Sequence, residues 1–124
     1  MMFTLRMGVP DMEALWLALT EGADNNTLSA SEKKLFKKLV KALDRLRTDP
    51  YNNSLQSHEI DTLTKKYKIK IFQSYLENKT PSAGRMFWAY GPGKREITIL
   101  GIEPHPDRAK RGAYERIKLS TFPT

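Results

Sequence analysis

The chain lacks cysteine altogether and has only two histidines, His58 and His105, in 124 residues. Without cysteine it forms no disulfide, zinc-thiolate site or thiol nucleophile, which fits a reducing compartment. Catalytic zinc usually takes three protein ligands, so two histidines argue against a multi-histidine metal site. We therefore expect neither a metal nor another cofactor.

Long hydrophobic runs are also missing. No apolar run approaches the roughly 18 residues that a membrane span needs, and no charged leader with an apolar stretch opens the chain. The apolar share of 40% and the charged share of 28% are ordinary for a folded domain, and the length fits one domain. We therefore expect a single domain, residues 1–124, that is soluble, cytoplasmic and independent of membranes.

Positive charge is abundant but unevenly placed. Residues 65–124 carry thirteen Lys and Arg against five Asp and Glu, a net charge of +8, whereas residues 1–64 carry eight against nine, a net charge of −1. This excess predicts a polyanionic partner, which is a nucleic acid, an anionic membrane surface or an acidic protein. The densest basic cluster lies near the end and comprises Arg108, Lys110, Arg111, Arg116 and Lys118.

The beginning of the chain predicts a short strand followed by a helix. Phe3, Leu5 and Met7 alternate with polar residues, as in a strand with one buried face. Asp11 is placed to cap the helix, and Gly22 is the left-handed residue that commonly follows a helix end.

A second, longer helix is the most strongly marked element. Ser29 and Glu32 form a capping-box pattern at its start. Apolar residues follow at helical spacing, with lysines on the opposite face: Leu35, Phe36, Leu39, Leu43 and Leu46. Asp49 and Pro50 end the helix, because the residue before a proline is pushed out of the helical region.

The middle of the chain is interpreted as a connection followed by a strand. Residues 51–63 are polar and turn-rich, with one extended stretch near Leu55. In Tyr67–Phe72, apolar residues alternate with Lys68 and Lys70, so a strand here would bury the apolar set and expose both lysines.

Two further strands and a short helix complete the prediction. Strand formers dominate Arg85–Tyr90, and Glu96–Ile102 is a continuous apolar run of the kind found inside a sheet. Turn residues occupy 77–82 and 91–93, and 112–120 is interpreted as a helix. The predicted fold is α+β, in the order β-α-α-β-β-β plus a short C-terminal helix. Its N-terminal strand and two helices pack on a small, twisted, antiparallel-dominated sheet.

Five short motifs occur in a definite order, followed by a histidine. They are Leu46-Arg-Thr-Asp-Pro50, Ser57-His58, Tyr67-Lys-Ile-Lys-Ile71, Gly84-Arg-Met-Phe-Trp-Ala-Tyr90 and Ile97-Thr-Ile-Leu-Gly-Ile102. In this order the chain resembles the RelE/ParE toxin superfamily, the toxin halves of bacterial type II toxin-antitoxin pairs. The resemblance is clearest over residues 35–115, and it implies a cognate antitoxin as a partner.

The resemblance also implies a ribonuclease site on a basic concave face of the sheet. The matching candidates for catalysis are Lys68, Lys70, Arg85, His105 and Tyr114. The chain departs from the superfamily in three ways: the segment between the second and third strands is longer than is common, two prolines flank the histidine, and no carboxylate base is evident.

These residue types suit metal-free RNA cleavage, which needs a base for the 2′-OH proton, cations at the phosphate and an acid for the leaving oxygen. The imidazole of His105 serves as acid or base near neutrality, and the guanidinium of Arg85 offers a bidentate fork to phosphate oxygens. Lys68 and Lys70 act as point charges, or as a base where neighbouring cations lower the pKa of one of them.

Each basic candidate also has a structural explanation. Lys68 and Lys70 could be a solvated strand face that deters edge pairing, and Arg85 could pair with Glu103. For His105, the flanking prolines stiffen a loop whose one distinctive side chain is the imidazole. A functional role and a structural role for this histidine are therefore given equal weight.

The aromatic candidates and the last basic residues are open in the same way. Tyr114 packs on the core or acts at the site, and Trp88 and Tyr90 face the core or stack on unpaired bases. His58 is interpreted as structural. Three roles remain open for Arg108, Lys110 and Arg111: binding of nucleic acid, binding of an acidic antitoxin tail, or a solvated helix face.

Three functions remain after this reasoning. The first is a type II toxin that acts as a metal-independent endoribonuclease on mRNA held in the ribosome. The second is a non-catalytic toxin of the same superfamily that inhibits a protein target such as DNA gyrase. The third is a basic nucleic-acid-binding domain without catalysis.

Overall fold

In a computed structural model of the protein, the structure describes residues 2–7, 10–76 and 84–103. These form three α-helices, which are α1 (Pro10–Asp24), α2 (Ala30–Thr48) and α3 (Asp61–Tyr67). The strands are β1 (Thr4–Arg6), β2 (His58–Glu59), β3 (Phe72–Tyr75), β4 (Arg85–Tyr90) and β5 (Glu96–Glu103). The predicted α+β class is confirmed.

The strands form one mixed sheet in the order β1-β5-β4-β3-β2. The pairs from β2 to β5 are antiparallel, and β1 runs parallel to β5. The predicted element order is incomplete, since β2 and α3 were not expected. The predicted turn at 77–82 and helix at 112–120 lie outside the described residues.

The strand β5 lies inside the sheet, as its apolar run predicts. It has β1 on one side and β4 on the other, and Ile97, Ile99 and Leu100 are all buried. Leu100 is an extra residue in the β4–β5 ladder, because Phe87 pairs with Gly101 while Trp88 pairs with Ile99. This bulge locally bends a strand whose two faces are both covered.

The end of α1 differs from its prediction. Gly22 lies within the helix and is buried, and the side chain of Leu28 occupies the space that a Cβ would need. The left-handed residue is instead Asn26, with φ of 58°. Gly22 therefore permits close packing, and the second Asn of the Asn-Asn pair supplies the turn.

The start of α2 is as predicted. The N–H of Glu32 donates to Ser29 Oγ at 3.1 Å, and the N–H of Ser29 donates to Glu32 Oε1 at 2.9 Å. The hydrogen bond from the Ser29 N–H, followed by the Ser29 side chain, lowers the pKa of the Glu32 carboxyl. The helix ends before Asp49, whose N–H donates to Arg45 O, and its buried leucines join the core.

The predicted strand over 67–72 is wrong. Tyr67 is the last residue of α3, Lys68 follows it in a left-handed conformation with φ of 61°, and the strand begins at Phe72. Thr64 fixes this ending, since its carbonyl accepts from the N–H of Lys68 and its Oγ1 accepts from the N–H of Ile71. The alternating apolar residues therefore belong to a helix end and a loop, where Ile71 is buried and Tyr67 and Ile69 are half-buried against the core.

Candidate nucleic-acid interface

The lysines proposed for catalysis lie on a connection between α3 and β3. Lys68 and Lys70 are exposed there, together with Lys65 and Lys66 of the last helical turn. Cations in that turn are favoured by the negative end of the helix dipole. The structure therefore gathers four lysines on one exposed segment, but it does not place Lys68 or Lys70 on a strand.

Arg85 occupies a different environment. Its side chain is only 2% exposed, and its Nη1 donates to Gln73 Oε1 at 2.7 Å. The first residue of β4 is thus held inside the sheet, on the same face as the residue that accepts its hydrogen bond. The prediction of a surface phosphate ligand does not fit this buried position. Its predicted neighbour Glu103 is its backbone partner on β5.

The predicted lysines and arginine do not converge. Lys70 precedes β3 by two residues, whereas Arg85 pairs with Tyr75, the last residue of β3. At a rise of about 3.3 Å per residue, these levels of the sheet are roughly 16 Å apart. The expected single hollow for the phosphate is therefore divided between two ends of the sheet.

We call the first of these the lysine end. It is where β3 and β5 begin and β4 ends, because neighbouring strands there are antiparallel. Its exposed polar residues are Lys70 before β3, Tyr90 at the end of β4, and Lys94 and Arg95 before β5. The opposite end, where Tyr75, Arg85 and Glu103 are cross-strand neighbours, is the arginine end.

The β4–β5 hairpin fixes two of these cations. Its turn closes through Glu96 Oε1, which accepts from the N–H of Gly93 at 2.7 Å, and through Thr98 Oγ1, which donates to the carbonyl of Gly91. Arg95 has φ of 56°, and its carbonyl accepts from the N–H of Thr4. This backbone hydrogen bond joins the hairpin segment that carries Lys94 and Arg95 to the start of β1.

Two tyrosines form the aromatic part of the lysine end. Tyr51 and Tyr90 are 57% and 43% exposed. Both rings pack edge-on against Phe72, and the pKa of Tyr90 is raised to about 12, first by burial and then by the nearby Tyr51. Of the two aromatics assigned to the core, Trp88 is buried and Tyr90 is exposed.

A buried relay positions the segment that carries Tyr51. Trp88 Nε1 donates to Ser74 Oγ at 2.8 Å, and Ser74 Oγ lies 2.6 Å from Ser57 Oγ. Ser57 Oγ donates to the carbonyl of Pro50, so the hydroxyl of Ser74 is the donor between the two serines. Each hydroxyl is then satisfied, and the segment from Pro50 to Ser57 is fastened to β3 and β4.

His58, interpreted from the sequence as structural, lies on the surface. It lies exposed on the edge strand β2, and its Nδ1 is 2.9 Å from the carbonyl of Gln56. A carbonyl oxygen only accepts hydrogen bonds, so Nδ1 is the donor and carries a proton. The Nε2 atom takes no part in this hydrogen bond. Its Cα partner on β3 is Gln73, the residue that holds Arg85.

Several surface residues were missed in the sequence for identifiable reasons. Lys65 and Lys66 adjoin the lysines that were chosen, and the run itself was the available signal. Lys94 and Arg95 directly follow the Gly-Pro-Gly turn. Tyr51 carried no local signal, since its place depends on the relay and on packing against β3.

The remaining predicted site residues lie outside the described residues. They are His105, Arg108, Lys110, Arg111 and Tyr114. The structure therefore assigns no position to the candidate acid or base.

Other kinds of site are poorly represented. Residues around β1 and from the helices α1 and α2 line a groove of about 620 Å³, and apolar side chains such as Leu5, Trp16 and Leu43 make up most of its lining. Within 2–7, 10–76 and 84–103, no three His, Asp or Glu residues are grouped as a metal site would require. No helix in those ranges combines the length and apolarity needed to cross a bilayer.

Comparison with known proteins identified no relative. Neither models of protein families, nor curated proteins, nor solved structures gave a match to the chain.

Proposed function

We propose that the protein is the toxin of a type II toxin-antitoxin pair, similar to RelE/ParE toxins, and that it cleaves mRNA without a metal ion. The observation that carries the proposal is the exposed cationic surface at the lysine end of the sheet. The ordered motifs of the sequence and the arrangement of an N-terminal strand, two helices and an antiparallel set of strands also support it.

The lysine end suits a nucleic-acid backbone. Lys68 and Lys70 project from the α3–β3 connection, and Lys94 and Arg95 project from the β4–β5 hairpin at the same end of the sheet. Each phosphate that such cations neutralise releases condensed counterions, which makes binding strong at low salt and weak at high salt. These residues therefore bind the RNA backbone in our proposal.

The chemical step is assigned to His105, as acid or base at the cleaved phosphodiester, with Tyr114 in support. A base removes the 2′-OH proton as the 2′-oxygen forms its bond to phosphorus, the bond to the 5′-oxygen breaks, and an acid donates a proton to that oxygen; His105 fills one of these two roles. Arg85 changes its role: because it is buried against Gln73, it supports the positions of β3 and β4.

The partners follow from the same surface. An acidic or amphipathic antitoxin tail would compete with RNA for the exposed cations, and Arg108, Lys110 and Arg111 are further candidate contacts for either partner. In the cell, the substrate is mRNA on the cytoplasmic ribosome.

A second function is favoured by one observation. The burial of Arg85 removes one of the cations expected at the phosphate, which agrees better with a non-catalytic protein that binds nucleic acid or a protein such as DNA gyrase. The two functions differ in whether RNA is cut.

Cleavage by purified protein separates them. A 5′-labelled mRNA fragment is incubated with the protein in EDTA without ribosomes, and in Mg²⁺ buffer with ribosomes, beside the same fragment carrying 2′-deoxyribose. We expect cuts in the ribose strand alone, and we expect His105→Ala to abolish them while His58→Ala, the matched histidine control, retains them. Binding without cuts would favour the non-catalytic function. The absence of both binding and cuts would refute the RNA proposal.

Brief expression in cells extends the test. Mapped RNA ends within translated codons support a ribosome-associated toxin, whereas intact RNA with altered DNA supercoiling would indicate inhibition of gyrase.

A further inference from the structure

We propose that Tyr51 and Tyr90 form a stacking platform that binds unpaired nucleobases at the lysine end of the sheet. The inference rests on the proposed RNA function. It adds which chemical part of the RNA is recognised and which side chains recognise it, and it concerns residues outside the catalytic assignment.

Buried aromatics support the two tyrosines from below. Phe72 and Trp88 are stacked with ring centroids 4.8 Å apart and planes 18° apart. Tyr51 meets Phe72 edge-on at 6.5 Å, and Tyr90 meets Phe72 at 5.5 Å and Trp88 at 5.1 Å, both edge-on. An aromatic with few rotatable bonds, held at its edge by other rings, offers contact area at a small cost in conformational entropy.

The exposure of the pair points to a ligand. Both tyrosines belong to the small set of large, mainly apolar side chains that the described surface leaves exposed. They are neighbours, since both rings pack edge-on against Phe72, although Tyr90 lies on β4 and Tyr51 follows α2. Every nucleobase has a flat face that stacks on such rings, independently of its sequence.

Charges around the platform match a nucleic-acid strand. Lys70 precedes Phe72 by two residues, and Lys94 and Arg95 follow Tyr90 in the hairpin, so cations flank the rings on the β3 and β5 sides. Three carboxylates also lie near this end: Asp49, whose Oδ1 accepts from the N–H of Tyr51 at 3.1 Å, Glu59, the cross-strand partner of Phe72, and Glu96, the first residue of β5. Aromatic faces beside cations are the usual construction of single-strand binding surfaces.

Binding to two matched strands tests the platform. The first probe is a fluorescein-labelled single strand of about eight 2′-O-methyl nucleotides, which resists cleavage through the 2′-oxygen. The second has the same number of phosphates but abasic sites in place of the bases. Tyr51→Leu keeps an apolar cover over Phe72, Tyr51→Phe keeps the ring, and Lys70→Ala removes a charge; circular dichroism checks that each variant is folded.

We expect Tyr51→Leu to weaken binding of the base-containing strand about tenfold and to leave the abasic strand unchanged. Tyr51→Phe should bind both strands as the parent does, and Lys70→Ala should weaken both. Equal affinity of the parent and Tyr51→Leu for the base-containing strand would overturn the platform and leave RNA binding intact. Failure of the parent to bind either strand would overturn the platform together with the proposed function.

Discussion

The two ends of the sheet differ in how they hold positive charge. At the arginine end, Arg85 is 2% exposed and its guanidinium is hydrogen-bonded to a buried glutamine. At the lysine end, Lys70, Lys94 and Arg95 are exposed to water. A buried cation depends on its partners to offset the cost of its desolvation, so a change there disturbs the fold, whereas exposed cations contribute little to stability and remain available to a ligand. Substitutions at the two ends should therefore fail in different ways.

The largest effect is expected from Arg85→Ala. It removes a fully buried side chain together with its hydrogen bond to Gln73, so the free energy of unfolding should fall by roughly 2–4 kcal/mol. Urea denaturation measures the loss, with Lys70→Ala as the control that should stay within about 0.5 kcal/mol. Equal stability of the parent and Arg85→Ala would show that Arg85 is not structural.

A smaller loss is expected where the relay joins the sheet to the segment of Tyr51. Ser74→Ala leaves the buried N–H of Trp88 without its acceptor, at a cost of about 1–3 kcal/mol. A double-mutant cycle with Trp88→Phe measures the coupling, because the serine should matter less once the indole N–H is gone. Additive effects of the two changes would contradict the relay.

The lysine end should respond in RNA binding rather than in stability. We expect the double variant Lys68→Ala/Lys70→Ala to reduce the slope of log affinity against log salt by about 0.7 for each phosphate that the variant no longer neutralises. Unfolding should change by less than about 0.5 kcal/mol. Lys33→Ala/Lys34→Ala, which removes two exposed lysines near the start of α2, is the control of equal charge. A control that weakens binding equally would show that net charge, rather than the lysine end, binds RNA.

The smallest effect is confined to alkaline pH. Since burial and Tyr51 raise the pKa of Tyr90 from 10.0 to about 12, its protonated form is favoured by folding. The stability that it adds is fully present below about pH 10 and is lost as the pH rises through about 12. Titration of tyrosine absorbance should show a late step that Tyr90→Phe lacks, and identical curves would disprove the shift.

Elements with strong local signals were predictable from the sequence. The capping box of Ser29 and Glu32 and the proline after Asp49 set the bounds of α2 through contacts within a few residues. The strand β5 was equally clear, since an apolar run between turns suits an interior strand with both faces buried.

The lysine segment was not predictable in the same way. Tyr67, Ile69 and Ile71 match a strand pattern, but Leu63 and Tyr67 also share one face of a helix, and Thr64 ends that helix through its carbonyl and hydroxyl. Whether this segment forms a strand or a helix end depends on the pairing of β2 with β3, which places His58 opposite Gln73. A pattern of neighbouring residues does not report this pairing.

The candidate site was harder to predict than the fold. The exposure of Lys68 and Lys70 was correctly expected, but no pattern near Arg85 indicated that Gln73, twelve positions away, would accept its hydrogen bond. Cross-strand register decides which polar residues meet, and register is set by the whole sheet.

The parallel pairing of β1 with β5 has a consequence during synthesis. Thr4 pairs with Glu96 and Arg6 with Thr98, so the first strand leaves the ribosome long before its partner exists. The helices can form early, but the outer edge of the sheet closes only after most of the chain has been translated. A nascent chain halted before β5 would lack the strand on which β1 docks, which makes translation through β5 a condition for adding β1 to the sheet.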